Sequence, residues 1–324
     1  MHTVAVIIRT KDRPHFLARA LANVSAQSFK DYTLILINDG GDAQQVEEIL
    51  AQGPTFPSLQ VIHNPQSLGM EAASNQGIRA SQSTYIAIHD DDDFWEDDFL
   101  KVTVEALESS GQQMVTVRTM EYFERLKEDG SFEHLESRPF WGILSDITFQ
   151  DITRTNRAVP ISILHRRSLH QELGYYREDL PVVGDWEFNL RVGARYPILF
   201  IDQHLANWSK RPEAEGAQAN SVHASGKLHT IYDGQVRAQA IRQDLAQGGN
   251  LGPYLFQAHL ANQVDGSVGH SIDLLHQVLQ QLDSLEARLD SLQESNQKII
   301  EQLNRPEEKK GAIYRLLRRL KGKQ

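Results

Sequence analysis

Four consecutive aspartates, Asp90 to Asp93, follow the apolar run Tyr85-Ile86-Ala87-Ile88. Carboxylates crowded in this way resist ionising together unless a cation or solvent offsets their repulsion. An apolar run that ends in such a cluster places it at a strand's carboxyl end, where open α/β sheets bind ligands. Hard divalent cations take oxygen ligands, and Mg²⁺ often uses one or two carboxylates plus phosphate oxygens. The chemistry on offer is a metal–diphosphate site. An acidic loop, or a helix N-terminus where the dipole favours Asp, has the same composition. The cluster alone does not separate these readings.

The elements that would position it are legible nearby. Val4–Ile8, Tyr32–Ile37, Leu59–His63 and Tyr85–Ile88 read as buried strands. Pro14–Ala26, Val46–Leu50 and Glu71–Ala80 read as the helices between them. This order predicts a mostly parallel α/β sheet with right-handed crossovers. All strand ends then point to one edge, which gathers Arg9-Thr10, Asn38-Asp39 and the aspartate cluster. Further on, Phe99–Leu107 reads as a helix and Met114–Met120 as a strand. A turn at Glu128–Ser131 suggests a hairpin. Val159–His165 and Pro197–Ile201 read as strands, and Asp185–Val192 as a helix.

The rest of the chain is helical in pattern. Residues 226–271 read as a helical extension, broken at Gly248-Gly249 and Gly252-Pro253. Leu275, Val278, Leu282, Leu285, Leu289, Leu292, Asn296, Ile299 and Leu303 are spaced alternately by three and four. That is a heptad seam, with Asn296 at an a-type position. Residues 272–304 are therefore expected to form a coiled coil on the order of 50 Å long, joining a homodimer or small homo-oligomer. The alternative is an amphipathic helix folded back on the core. Residues 305–324 carry eight Lys/Arg against two Glu, a local +6 within a chain of net charge −10. Ile313, Leu316, Leu317 and Leu320 line one face of this basic tail, so residues 309–323 suit an anionic membrane surface. A docking or solubilising tail is the alternative.

The overall acidity argues against nucleic acid as a partner. There are no cysteines, which excludes disulfides, thiolate metal sites and cysteine nucleophiles. A strand pattern starts almost at once, without the features of a signal peptide. The expected location is cytoplasmic, with peripheral attachment at the inner face of the cell membrane.

Taken in order, these strand ends resemble the family 2 glycosyltransferases of GT-A fold. The likeness covers roughly residues 3–200 and is carried by four blocks. These are Val4 to Pro14; Leu34 to Gly41 with its Asp39-Gly40 turn; Asn64, Leu68-Gly69, Ala72, Asn75 and Gly77-Ile78; and Tyr85 to Asp93, similar to a strand ending in a D-x-D motif. Gly184-Asp185-Trp186 resembles the family's acidic motif at a helix start. The GT-A domain would span residues 1–225.

The resemblance implies roles. Asp92 would bind Mn²⁺ or Mg²⁺, and Asp90 would bind the ribose or a metal-bound water. Asp93 would support the loop or the sugar. Asp39 would take the nucleobase or ribose with the Thr10–Arg13 loop, and Asn75 would join the donor site. Asp185 would be the general base of an inverting transfer from a nucleotide-diphospho-sugar to a glycan or lipid-linked acceptor, in bacterial surface polysaccharide synthesis. His223 is a further candidate metal ligand, and Lys210 or Arg211 could neutralise the diphosphate. Trp186, beside Asp185, is expected to face the acceptor.

The chain also departs from the pattern. Arg9 stands where a proline is common, Ser74 where an arginine is common, and Gly184 where a glutamate is common. Two rival functions remain at this stage: a sugar-nucleotide pyrophosphorylase and a non-catalytic nucleotide-sugar-binding scaffold. The first strand is followed by Arg9-Thr10-Lys11-Asp12-Arg13, without the glycines expected of a pyrophosphorylase loop.

Overall fold

The alternation of side chains along VAVIIRT explains the layering around it. Val4, Val6 and Ile8 pack on one face against Leu17, Leu21 and Val24. Ala5 and Ile7 pack on the other, against Ala73 and Ile78. A strand covered on both faces sits at the centre of an α/β sheet. The computed structural model describes residues 2–142, 145–214, 226–304 and 306–321.

The first part runs β1 (Val4–Thr10), α1 (Pro14–Ala26), β2 (Tyr32–Asp39), α2 (Ala43–Gln52), β3 (Leu59–Asn64), α3 (Met70–Ala80) and β4 (Tyr85–Asp90). β1 pairs in parallel with β2 and with β4, and β2 with β3. Helix α3 lies very close to β1. A Cβ at Gly77 would come within 2.6 Å of Ile7, so only glycine lets the helix approach that far.

The second part runs β5 (Phe94–Trp95), α4 (Phe99–Ser110), β6 (Met114–Leu126), β7 (Phe132–Pro139), α5 (Phe149–Arg154), β8 (Ile163–Arg166), α6 (Ser168–Leu173), α7 (Gly184–Gly193) and β9 (Leu199–Lys210). The sheet order is β3-β2-β1-β4-β8-β6-β9-β5, with β7 paired to β6 as a hairpin. β8 is antiparallel to β4 and β6, and β5 to β9. The mixed half therefore continues the parallel half, and the sheet is mostly parallel as expected.

Several elements differ from the sequence reading, β6 among them, which runs to Leu126 instead of ending at Met120. The strand expected from Val159 begins with a 3₁₀ turn over Pro160–Ser162, and Ile163–Arg166 alone pairs. Pro160 cannot donate to a ladder. β9 continues to Lys210, well beyond Ile201. Its exposed Asp202, Gln203 and His204 hide the alternation, and its pairing with β6 shifts register at Val117–Thr119. Gly252-Pro253 does not break the chain. It lies in the first turn of a helix, where a missing proline N–H costs nothing.

Compactness divides the protein into residues 1–240 and 241–324. α8 (Gly226–Ala246) is followed by α9 (Leu251–Asn304) and α10 (Pro306–Lys321). α9 is one helix of 54 residues. Along it Leu275, Leu282, Leu285, Leu289 and Leu292 are each more than half exposed. Among the described residues, no helix is long and apolar enough to cross a membrane.

A buried histidine pair joins β8 to α6. His165 and His170 meet Nε2 to Nε2 at 2.8 Å, and each is 1% exposed. His170 stacks on Phe188, 4.5 Å between ring centres. Burial pushes both pKa values far below the ordinary 6.5, with mutual repulsion adding for His170. The folded protein keeps the rings neutral, while the unfolded chain takes up protons below pH 6.5. Their contribution is complete above that pH and is lost as pH falls toward the folded values. We expect stability to drop below pH 6 by up to about 1.4 kcal/mol per pH unit for each ring. Urea denaturation from pH 7 to 4.5 checks this. Replacing both histidines by Phe should flatten the slope, and an equally steep slope in that variant would contradict it.

Candidate active site

The aspartate turn is pinned at both ends. β4 carries Asp90, and the two residues of β5 that follow the cluster pair with Ala206 and Asn207 of β9. Trp95 anchors β5: its indole donates to the Ile161 carbonyl at 2.6 Å and stacks on Phe99. The Asn23 side chain of α1 bonds both Trp95 backbone groups at 2.8 Å, and its Oδ1 accepts from His89 Nε2 at 3.1 Å. The cluster thus has little freedom to move.

Its four carboxylates have separate partners. Asp90 pairs with Arg9. Asp91 accepts from Thr10 Oγ1 at 2.8 Å and from Arg13 at 2.9 Å. Asp92 pairs with Arg211 and lies 3.3 Å from Arg13. Asp93 accepts from the Ser209 amide at 2.8 Å. Behind them Arg19 of α1 donates to the Asp92 carbonyl at 2.5 Å and to both oxygens of the buried Glu124. Arg211 reaches Glu124 at 3.2 Å.

Position in this network sets each acidity. Burial pushes the Asp91 carboxyl up to about 6, against the pull of Arg13. Burial also acts on Asp92, but Arg211 and Arg13 outweigh it and hold the carboxyl below its usual range. Asp93 is raised by burial and by the repulsion of Asp92 and Asp90.

Two clefts meet at this turn. One, of about 270 Å³, is lined by Thr10, Lys11, Arg13, Asp39 and the four aspartates. The other, of about 520 Å³, is lined by Asp185, Asn156, Trp141 and Phe140 among others. Arg9, Met70, Asp90 and Trp208 border both. Asp90 is the member of the cluster on their shared boundary.

The expected site residues separate into groups. Thr10, Arg13, Asp39, Asp90 and Asp92 come together in the smaller cleft. Asp39 is already heavily used there. It accepts from Asn64 at 2.9 Å, Ser67 at 2.7 Å, and the Leu68 and Gly69 amides at 2.9 and 3.0 Å. Burial works against its charge, but these bonds hold its carboxyl below the usual value. Its immediate effect is to fold the 67–69 wall of the cleft.

Asn75 lies elsewhere. It is fully buried, donates to Tyr176 O and Glu178, and accepts from the Tyr176 amide. It latches that loop onto α3 and lines neither cleft. Trp186 borders the larger cleft, but it is 2% exposed and its indole donates to Ile152 O at 2.7 Å. Phe140, Trp141 and Trp208 supply more of the aromatic wall. Lys210 sits with its ammonium 2.9 Å from the Trp208 ring centre, and burial brings its pKa down to about 8. Arg211 is committed to Asp92 and Glu124. His223 lies outside the described residues.

Asp185 opens α7 and faces the larger cleft. Asn156 donates to its carboxylate at 2.6 Å. Burial raises its pKa, with Asp90 adding to the rise and the Trp186 amide, Asn156 and Arg9 opposing it. A carboxylate raised in this way is a better proton acceptor near neutral pH.

Comparison with known proteins follows the same topology. The sequence profile of glycosyl transferase family 2 matches residues 5–173. The chain belongs to that family. It is 27% identical over 195 residues to an uncharacterized glycosyltransferase, YwdF, of Bacillus subtilis (strain 168), covering 60% of this chain and 69% of that one. Among solved structures it is similar to S. aureus TarS 1-349 in complex with UDP-GlcNAc, at TM-score 0.54 and 15% identity over 67% of this chain. Mannosyltransferase PcManGT from Pyrobaculum calidifontis, in complex with GDP-Man and Mn²⁺, matches at TM-score 0.50 and 14% identity over 81% of each chain. The chain spans 61% of the TarS structure it matches. The GT-A fold is shared with these structures.

Asp90 and Asp92 both line the smaller cleft, each paired with arginine. Among the described residues, no group of three His, Cys, Asp or Glu side chains forms a metal cage. Two carboxylates with the remaining positions left to phosphate and water suit Mg²⁺ or Mn²⁺.

Several groups gave no sequence signal. Arg19 reads as an ordinary helical arginine, Glu124 as one of several charges on an exposed hairpin, and Asn156 as a loop residue. Yet the Arg211–Glu124–Arg19 set carries the rear of the aspartate turn. Arg211→Ala would leave Asp92 and Glu124 buried with less compensation. We expect it to cost about 3–5 kcal/mol by urea denaturation. A loss below about 1 kcal/mol would show that the network is not needed to hold the turn.

Proposed function

We propose that the protein transfers a sugar, with inversion, from a nucleotide-diphosphate donor to a hydroxyl of a glycan or lipid-linked acceptor, in bacterial surface polysaccharide synthesis. The observation that carries this reading is the meeting of two clefts at Asp90, with the arginine-bordered aspartate turn in one and Asp185 in the other. A donor diphosphate in the first and an acceptor hydroxyl in the second would bring the anomeric carbon to their boundary.

Asp90 and Asp92 would hold Mn²⁺ or Mg²⁺, which as a Lewis acid stabilises the charge of a leaving diphosphate. Thr10, Lys11, Arg13 and the wall folded by Asp39 enclose the nucleotide. The acceptor hydroxyl gives its proton to an Asp185 oxygen as its own oxygen bonds to the anomeric carbon. The bond from that carbon to the diphosphate oxygen breaks, and the electron pair leaves with the diphosphate. One displacement from the opposite face inverts the centre. Phe140, Trp141 and Trp208 offer flat apolar faces to the acceptor.

The C-terminal helices organise this enzyme. The exposed leucine seam of α9, about 50 Å long at 1.5 Å per residue, pairs with a second copy through residues 272–304. In α10, Ile313, Leu316, Leu317 and Leu320 are each more than half exposed. With the basic residues of 309–323 they attach the enzyme to the inner face of the cell membrane.

Asp185→Asn should lower turnover by roughly 10²–10⁴-fold while leaving donor-dependent thermal stabilisation intact. Full turnover in this variant would remove Asp185 as the base. Deleting residues 305–324 should release the protein from phosphatidylglycerol-containing vesicles while binding to pure phosphatidylcholine stays negligible throughout. Undiminished binding by the truncated chain would place the membrane contact elsewhere.

A further inference from the structure

Glu71 is a carboxylate to which the reaction scheme assigns no task. It lies in the first turn of α3, where a surface glutamate would simply favour the helix dipole. This one is 6% exposed and borders the larger cleft with Asp185 and Asp90. A carboxylate taken this far from water needs partners. Arg9 lies 4.0 Å away, and the Gly184 backbone lies against its carboxyl. Burial, with Asp185 and Asp90 adding, pushes that carboxyl up to about 8 against the pull of Arg9. Arg9 also holds Asp90, and Gly184 is the residue before Asp185. One buried carboxylate therefore touches a neighbour of each of the two acidic groups used in transfer.

Gly184 shows how closely Glu71 fits. A Cβ at that position would lie 2.4 Å from Glu71 Oε1 and 2.5 Å from its carboxyl carbon. Gly184 is not among the residues with a left-handed backbone. Its glycine therefore answers a need for space, not for conformation. The residue before it makes the contrast sharper. Val183 has φ 60°, a conformation a β-branched residue strongly disfavours, and no glycine relieves it. The glycine stands one position later, where Glu71 occupies the volume of a side chain.

We propose that Glu71 is a positioning residue, which supplies from α3 the carboxylate beside Asp185 that residue 184 has no room to supply. By packing its carboxyl against Gly184 it fixes the start of α7 and so the direction of the Asp185 carboxylate. By facing Arg9 it holds that guanidinium against Asp90. This rests on the transferase reading above for its catalytic consequence, but not for its geometry.

The test is a four-member set: the wild-type chain, Glu71→Ala, Gly184→Glu, and the double variant. Thermal unfolding is measured for all four. Release of nucleoside diphosphate is followed with UDP- and GDP-linked sugars in the presence of Mn²⁺. Gly184→Glu alone should lower Tm by about 5 °C, and most of that loss should vanish when Glu71→Ala is also present. Glu71→Ala should lower kcat by roughly tenfold to a hundredfold with donor KM nearly unchanged. The double variant should recover most of the lost kcat, which a purely structural role would not predict. The proposal is overturned if Glu71→Ala keeps full kcat, or if Gly184→Glu costs the same Tm with and without Glu71→Ala. Should the wild-type chain turn over none of these donors, the Tm cycle still decides the exchange of space, and the transferase reading is what loses support.

Discussion

The strand-end edge of the sheet depends on keeping four adjacent carboxylates folded into one turn. Asp91, Asp92 and Asp93 are buried, and Asp90 is partly exposed to the clefts. Unopposed, such a group would lose its charge or open the turn. It is opposed by guanidinium groups from separate places in the chain: Arg9 on β1, Arg13 at the start of α1, Arg19 within α1, and Arg211 just after β9. The arginines share partners: Arg13 and Arg211 both reach Asp92, and Arg19 and Arg211 both reach Glu124. Buried ion pairs of this kind add little net stability, but they cost much when one partner is lost. Their value here is direction. They point Asp90 at the boundary of two clefts and keep Asp92 ionised.

The same network explains why β9 runs so far. Its distal end brings Trp208 to both clefts, Ser209 to Asp93, and Arg211 to Asp92. A strand stopping near Ile201 would leave the rear of the turn open. The β6–β7 hairpin contributes in the same way, because it delivers Glu124 between Arg19 and Arg211. The mixed half of the sheet is thus the wall that closes the parallel half's strand-end edge.

Much of the parallel half could be read from sequence. Short apolar runs ending in Asp39 and Asp90, separated by amphipathic segments, specify strand order and a common ligand edge. α1 was legible to the residue because Pro14 starts it and its apolar spacing is regular. The aspartates and Asp185 were legible as carboxylates at a strand end and a helix start, and the structure sets them along the two clefts. What stayed hidden depends on long-range pairing. Nothing local distinguishes Arg19 or Glu124 from surface charges, since their roles arise from partners about a hundred residues away. Asn75 illustrates the converse. It sits in a recognisable block, yet its amide serves the Tyr176–Glu178 loop. Two departures from the family pattern, Arg9 and Ser74, also meet in space: the Arg9 guanidinium donates to Ser74 Oγ at 3.0 Å. A single sequence could list both departures but could not reveal that they face each other.

The central claim is that the aspartate turn is half of a metal site, completed by the donor's diphosphate. Mn²⁺ binding followed by electron paramagnetic resonance, without nucleotide and then with UDP, GDP, ADP, CDP and dTDP in turn, tests it directly. The geometry predicts weak Mn²⁺ binding alone, tight binding with at least one nucleoside diphosphate, and loss of that gain in Asp92→Asn. Mn²⁺ binding that no diphosphate strengthens, or a gain that Asp92→Asn leaves intact, would contradict it.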